Sequence, residues 1–549
     1  MSTGFDLSTV FRTVAEAIPD QKAFIWRDRR LTYAQMDARI DGIAHYLVEQ
    51  GLGCHTERDQ LAGHQSGQDH IGLYLRNGNE YLEAMVAGYR ARVAPFNVNY
   101  RYVEEELLYL LGDSKARALV YAGEFAPHVH SILGRLPDLT VLIQVDDGSG
   151  NELLPGAVDY ESITATPAPA SGMPTPTGDD LYILYTGGTT GMPKGVLWRQ
   201  HDIFMSAMGG RPFLSAGEEL KSYSDLAEQA RTQAGFRSLL LIPPLMHGAA
   251  QWGVFNTIST GGWIAIPDDV VKFDADGILR LAARERVLGI PVVGDSMARP
   301  LVDAIEKGDY DLSGLLAMTN GGAPLSPTVR DRLLNALPNL MIMDAVGASE
   351  SGAQMTTIAT KGADVGAAIF TPLADTTVID VDFTRVLQPG EGDGWLARRE
   401  FVPLGYLGDA EKTARTFPTI DGVRWSIPGD KARILPDGRI ELLGRDSVTI
   451  NSGGEKIFAE EVERAVASHP AVYDVVVTGR PSERWGNEVV AIVQFSENRS
   501  ATDEELAEAC REHIADYKVP KAFIRSEKIV RSPAGKADYR WAKAVATGA

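Results

Sequence analysis

Residues 185–196 read YTGGTTGMPKGV, directly after the apolar run LYILY at 181–185. Four glycines, three threonines and one lysine stand together behind what the apolar run predicts to be a buried strand. Glycine lets backbone come close to a ligand and exposes its N–H groups. The threonine hydroxyls add donors, and Lys194 adds a positive charge. Together they read as a cradle for phosphate oxygens. It is not the common cradle. That one, G-x-x-x-x-G-K-[ST], opens directly into a helix, whereas Lys194 stands between Pro193 and Gly195. The competing reading is a Gly/Thr-rich surface turn with a solvated lysine. The length and composition of the stretch, and its place behind an apolar strand, favour phosphate.

Upstream of this loop, helical and strand patterns alternate. TYAQMDARIDGIAHYLVEQ at 32–50 has helical spacing, with Thr32 as N-cap and Gly51 as stop. HIGLYL at 70–75 predicts a strand, EYLEAMVAGYRAR at 80–92 a helix, and APFNVN at 94–99 another extended segment. VEEELLYLLGDS and ARALVYA repeat the alternation, which predicts a mainly parallel α/β sheet. Residues 146–180, with their Pro, Ala, Thr and Gly tracts, read as a surface linker. Residues 207–236 read as a polar helical segment, either a solvated insertion or a lid. After about 444–447 the apolar periodicity restarts and predicts a small α+β domain.

The 549 residues allow several domains, and 44% hydrophobic with 23% charged residues is an ordinary globular balance. A formal net charge of −20 argues against a nucleic-acid partner, which needs a cationic face. It leaves room for a local cationic pocket. The two cysteines, Cys54 and Cys510, form neither a CxxC motif nor a disulfide framework, which suits a reducing compartment. The N-terminus shows no secretory signal, and no run approaches the roughly 20 apolar residues of a membrane span. The expectation is a cytoplasmic protein with no stable membrane anchor.

Six further stretches follow the phosphate loop in a fixed order. They are PPLMHGAAQW (243–252), GGAPL (321–325), GASE (347–350), PGD (428–430), GRDSVTINSGGEKIFAEEVE (444–463) and SPAGK (532–536). With these the chain resembles the adenylate-forming superfamily of acyl-CoA synthetases, nonribosomal peptide adenylation domains and beetle luciferases. NEYLEAMVAGYRARVAPFNVNYRY, INSGGEKIFAEEVE and SPAGKADYRWAK are most similar to bacterial fatty-acyl-CoA ligases of the actinobacterial steroid side-chain type.

The resemblance implies an α/β protein with a large multi-layer N-terminal domain at 1–443, built on parallel-rich sheets. A hinge at 444–447 and a small mobile α+β C-terminal domain at 448–549 would follow. It implies ATP, Mg²⁺ and coenzyme A, a small-molecule carboxylic acid as substrate, and often a homodimer. In the implied reaction a carboxylate attacks the α-phosphate of ATP and releases pyrophosphate. CoA thiol then attacks the acyl-adenylate and expels AMP. Charge gathers at phosphorus, so positioning and electrostatics carry the first step.

The resemblance also assigns roles. Thr186, Gly187, Gly188, Thr189, Thr190, Gly191 and Lys194 would hold the β- and γ-phosphates. Glu350 would be the magnesium ligand, as a hard cation prefers an anionic oxygen. Ser349 replaces the usual threonine and would bond the α-phosphate, next to Gly347. Val346 stands where relatives often carry an adenine-stacking aromatic. Gly321, Gly322 and Ala323 would line the adenine and acyl pocket, with Asp344 contacting adenine. Asp430 would hold the ribose, although Pro428 replaces a usual threonine. Arg445 would reach the ribose or α-phosphate, and Ser447 would be the pivot. Lys536 would bridge carboxylate and α-phosphate. Gly453, Gly454 and Glu455 would shape the pantetheine tunnel. His247 would gate the acyl channel, and the small residues after it favour a bulky apolar acid. Taken alone, Glu350, Asp430, His247 and Lys536 are ordinary surface, turn or core residues. Two other readings stand: an acyl-AMP ligase that loads a carrier protein, and a nucleotide-binding pseudoenzyme.

Overall fold

The computed structural model describes residues 4–165, 172–186, 192–212, 218–363, 368–445, 448–452, 455–482, 486–531 and 535–548. It is an α/β protein with a large N-terminal part and a small C-terminal part. The first sheet has eight strands. Six of them, from Leu181–Thr186 through Ala94–Asn97, His70–Tyr74, Ala116–Ala122 and Val141–Val145 to Ala157–Asp159, run parallel. Lys194–Arg199 and Gly405–Tyr406 complete one edge antiparallel.

The second sheet begins with the same logic. Lys22–Trp26, Trp263–Ile266, Ser238–Leu240, Gly289–Val292, Ala317–Gly321 and Met341–Ala348 lie side by side and parallel. Beyond Met341–Ala348 the pairing turns antiparallel, through Gly352–Ala359 and Ile369–Pro372 to Ile440–Arg445 and Asp430–Ile434. After residue 448 a separate three-stranded sheet, Val472–Ser482, Gly486–Phe495 and Ala522–Arg525, packs with the helix Ala459–Ala467 around its own apolar cluster. Among the described residues, no helix is long and apolar enough to cross a membrane.

Local chemistry explains the elements. The helix Tyr33–Glu49 starts at Thr32, whose hydroxyl accepts from the Gln35 amide while the Gln35 side chain accepts from the Thr32 amide. That reciprocal pair satisfies two otherwise orphaned donors. The helix Asn79–Arg90 is buried along its whole length, although it contains Glu80, Glu83 and Arg90. Burying those charges requires partners. Arg39 grips Glu83 through Nε and Nη2 at 2.8 and 3.1 Å, and the Tyr160 hydroxyl donates to the same carboxylate at 2.9 Å. Arg90 is held by Asp37 and Asp41 at 2.6 and 2.9 Å.

Two sequence expectations change. The span 146–180 is not all surface linker: Ala157–Asp159 adds a strand to the first sheet, and the helix Tyr160–Thr164 buries Tyr160. Polar tracts at 146–156 and 165–180 flank this element, and their composition hid it. The segment 207–236 contains the helix Tyr223–Thr232, which buries Leu226 and Ala230 and is capped by Ser222. Its Tyr223 hydroxyl donates to Asp6 at 2.9 Å, so one face belongs to the core.

Thr32→Ala should destabilise the protein by about 1 kcal/mol, while Thr32→Ser should be near neutral. Denaturant titration followed by circular dichroism measures both.

Candidate active site

A cavity of about 1240 Å³ opens where the carboxyl ends of both parallel strand sets meet. Open α/β sheets place ligands at such edges, because the loops that leave the strands there diverge. Thr186, His247, Gly321, Gly322, Gly347, Ser349, Glu350 and Lys536 all line it.

The Gly/Thr stretch leaves the strand Leu181–Thr186 and returns as the antiparallel strand Lys194–Arg199, with Thr186 opposite Lys194. The stretch thus joins two antiparallel strands, whereas the common cradle joins a strand to a helix. Gly187, Gly188, Thr189, Thr190 and Gly191 lie outside the described residues. Lys194 stands beside the cavity rather than on its wall, with Nζ 3.4 Å from Asp409. The Lys412 amide, and then Lys194, hold the Asp409 carboxyl below its usual range.

Glu350 and Ser349 sit at the turn that links the strands Met341–Ala348 and Gly352–Ala359. Backbone crowding sets this turn: a Cβ at Gly347 would lie 2.4 Å from the Gly352 carbonyl oxygen. The Trp198 indole donates to the Ser349 carbonyl at 2.8 Å, and the Ser426 hydroxyl donates to the Glu350 carbonyl. The Tyr406 hydroxyl donates to Glu350 Oε1 at 2.9 Å. Lys412 lies 4.0 Å over the Tyr406 ring. Burial pulls the Lys412 ammonium down, and the charge of Glu350 pushes it back up.

Asn320 organises the opposite wall. Its amide donates to Asp344 Oδ1 at 2.7 Å and to the Ala323 carbonyl at 3.1 Å, while its oxygen accepts from Gly294 N at 2.7 Å. Burial raises the Asp344 carboxyl above its ordinary value, against the lowering effect of that hydrogen bond. Ala323 and Asp344 stand one layer behind the wall; Gly321 and Gly322 are on it. Val346 also lines the cavity, and the stacked pair Phe383–Trp395, 5.8 Å between centroids, supplies aromatic surface from elsewhere in the chain.

His247 caps the helix Gly248–Ser259. Its segment is clamped by two asparagines. Asn97 donates to the carbonyls of Tyr185 and Met246 at 2.9 and 2.7 Å and accepts from Tyr185 N at 2.8 Å. Asn77 donates to the Pro243 carbonyl at 3.1 Å and accepts from Leu245 N at 2.7 Å. His247 Nε2 is buried with no hydrogen-bond partner among the described residues. Burial, then the charges of Lys536 and Arg101, lower the imidazole to about 4.

The small C-terminal part reaches this site through Lys536. Asp430 is buried, opposite Arg445 in the strand pair, and stands behind Pro428 and Gly429, which do line the cavity. Glu455 lies in the hairpin strand Glu455–Phe458. Ser447, Gly453 and Gly454 fall outside the described residues, as do the side chains of Arg445 and Glu455. Sequence reasoning missed Asn77, Asn97, Asn320, Tyr406 and Lys412. Each is a single polar residue with no local periodicity to mark it. Only their long-range contacts distinguish them.

Because the folded imidazole value is lowered from 6.5 to about 4, His247 stays neutral at neutral pH. Its stabilising effect is complete above pH 6.5 and is lost as pH falls towards 4. His247→Gln should therefore flatten the acid limb of the stability curve in that window. Denaturant titrations of both proteins at stepped pH measure it.

Residues 11–407 match the AMP-binding enzyme family, and residues 461–536 match the AMP-binding enzyme C-terminal domain. The chain is 56% identical over 547 residues to the medium-chain acyl-CoA ligase Mig of Mycobacterium avium, covering 99% of this chain and 98% of that protein. It is 40% identical over 536 residues to a 3-oxocholest-4-en-26-oate–CoA ligase of Rhodococcus rhodochrous, covering 96% of this chain and 93% of that one. Among solved structures, the anthranilate CoA ligase AuaEII in complex with anthranoyl-AMP shares the fold. Its TM-score is 0.81 at 19% identity, over 100% of this chain and 98% of that one. With both family matches in order along a single chain of this architecture, the protein belongs to the AMP-binding enzyme family.

Proposed function

We propose that this protein is an AMP-forming acyl-CoA ligase that works in the cytoplasm on medium- or long-chain fatty acids or bulky steroid side-chain carboxylates. The observation that carries the reading is the entry of Lys536, from the C-terminal part, into the cavity shared by Glu350, Ser349 and His247. The size of that cavity and the names of the two relatives support a large apolar acid.

In the first half-reaction a substrate carboxylate oxygen bonds to the α-phosphorus of ATP while the bond to pyrophosphate breaks. The Lys536 ammonium is the cation to match the charge that builds there, and such matching is worth most in the transition state. Glu350 fits a divalent cation: one oxygen takes the Tyr406 hydroxyl, and the other has no hydrogen-bond partner among the described residues. Among the described residues no group of three or more His, Cys, Asp or Glu could hold a metal. That suits Mg²⁺, which binds through one or two carboxylates plus substrate phosphates and would neutralise phosphate charge. Neutral His247 shields the acyl end without adding a competing cation. In the second half-reaction the CoA sulfur attacks the acyl carbon and AMP leaves.

The C-terminal part is assigned a rotation about 444–447 that withdraws Lys536 before CoA arrives. Thr186 and the Gly/Thr loop with Lys194 are assigned to the β- and γ-phosphates, Asp430 and Arg445 to the ribose, and 453–455 to the pantetheine side. Phe383 and Trp395 are the aromatic candidates for the adenine that Val346 cannot stack.

Lys536→Ala should lower carboxylate-dependent pyrophosphate release by roughly 10²–10³-fold. It should leave thioester formation from supplied acyl-AMP and CoA largely intact. Pyrophosphate release that ignores CoA, with acyl-AMP as the sole product, would instead indicate transfer to a carrier protein. Equal loss of both half-reactions in Lys536→Ala would remove the assignment of that lysine.

A further inference from the structure

Away from Glu350 and Lys536 the cavity continues as a corridor along the second sheet. One wall is the row Leu239, Gly289, Ala317 and Met341, which strand register places side by side. The facing wall is the helix Gly248–Ser259, through Ala249, Trp252 and Gly253. Gly321 and Ala317 mark the two ends on one strand, four residues apart, which is about 13 Å. His247 and Asn256 mark them on the helix, nine residues apart, again about 13 Å. At about 1.2 Å per bond along an extended chain, that length holds roughly eleven bonds.

The corridor is apolar for most of this length and then meets Arg237. This residue precedes the strand Ser238–Leu240, and its carbonyl accepts from Trp263 N at 3.1 Å. Its Nη1 donates to Asn256 Oδ1 at 3.2 Å. Backbone and side chain are therefore tethered to different elements, and Arg237 lines the cavity between them. A guanidinium has five N–H donors, and the bond to Asn256 is the one hydrogen bond its side chain makes among the described residues. No described carboxylate lies within ion-pair distance. Arg237 as a residue is exposed, so its free donors face the solvent at the far mouth of the corridor; partial desolvation lowers its pKa. Arg211, on the same cavity, is instead saturated by Asp375 and Glu219.

We propose that Arg237, oriented by Asn256, anchors an oxygen acceptor carried by the acid substrate about eleven to twelve bonds from its carboxyl group. The acceptor is a hydroxyl or ketone oxygen, or a second carboxylate. The proposal rests on the acid-activating reading of the cavity. A methyl terminus at this position would desolvate the guanidinium donors without replacing their hydrogen bonds. Sites built this way discriminate against the analogue that lacks the polar group. Arg237 is thus a specificity-determining residue, remote from the bonds that break.

The test compares dodecanoate, ω-hydroxydodecanoate and dodecanedioate in wild type, Arg237→Met, Arg237→Lys and Asn256→Leu. Two readouts are taken. One is kcat/KM for pyrophosphate release. The other is Kd by calorimetry beside a non-hydrolysable ATP analogue, which needs no turnover and so survives a failure of the ligase assignment. Wild type should favour at least one ω-oxygenated acid by about tenfold or more in both readouts. Which acid gains identifies the acceptor. The ratio should fall to near unity in Arg237→Met, with Arg237→Lys and Asn256→Leu between. Equal values for the three acids in wild type overturn the proposal. So does a ratio that is unchanged in Arg237→Met, or a loss that is uniform across all three acids.

Discussion

Two buried amides hold the functional edge of this protein together. Asn77 and Asn97 both leave strands of the first sheet, and both bond to the 243–246 segment that leaves the second. Asn97 also pins Tyr185, the last buried residue before the Gly/Thr loop. Five backbone groups are thereby satisfied by two side chains. An amide has the two donors and the acceptor to do this, and no apolar residue can. Leaving one such buried group unpaired costs about 1–3 kcal/mol, so the join between the sheets is specified rather than merely packed. The position of His247, the start of its helix and the mouth of the cavity all follow from that join.

Electrostatics then divides labour inside the cavity. Two unit charges 4 Å apart interact by about 4 kcal/mol at an effective dielectric near 20, so neighbouring cations weigh heavily on a buried imidazole. Burial opposes protonation of His247 most, and the charges of Lys536 and Arg101 act in the same direction. The imidazole therefore stays neutral, while Lys536 brings a positive charge to the cavity wall. Glu350 is treated in the opposite way. The Tyr406 hydroxyl donates to it, and the Lys412 ammonium stands close enough to feel its charge. A net charge of −20 over the whole chain is compatible with this, because these cations are concentrated where the negative ligand would sit.

The parts legible in the sequence were those with local chemistry. Helical spacing, the Thr32 cap and the alternation of strands need only neighbouring residues, and the ordered landmarks located the cavity wall. What escaped was set by distance along the chain. Tyr406 reaches Glu350 across 56 positions, and Asn97 reaches Met246 across 149. A lone tyrosine or asparagine carries no signal of such a partner. The helix Asn79–Arg90 misleads for the same reason: Glu83 and Arg90 look like a solvated face until Arg39 and Asp37 are known to cover them. The strand Ala157–Asp159 was hidden by the composition on either side of it. Val346 itself lines the cavity, and the stacked pair Phe383 and Trp395 adds aromatic surface from other segments.

The contact that brings Lys536 into place is small and specific. Gly535 has φ +71°, and a Cβ there would lie 2.7 Å from Ser296 Oγ and 3.0 Å from the Val293 carbonyl oxygen. Only glycine permits that close approach without strain. Nearby, the Arg299 guanidinium lies 4.5 Å over the Tyr473 ring. A cation–π pair of this kind contributes on the order of 1 kcal/mol. Such terms orient a surface without locking it. A wide apolar seam would fix the C-terminal part for good, and Lys536 could then serve one half-reaction only. The close glycine contact and the cation–π pair hold this face in place, and the helix Ala459–Ala467 also packs on the strand Ile440–Arg445. The face around Gly535 is therefore as important to the proposed chemistry as the lysine it delivers.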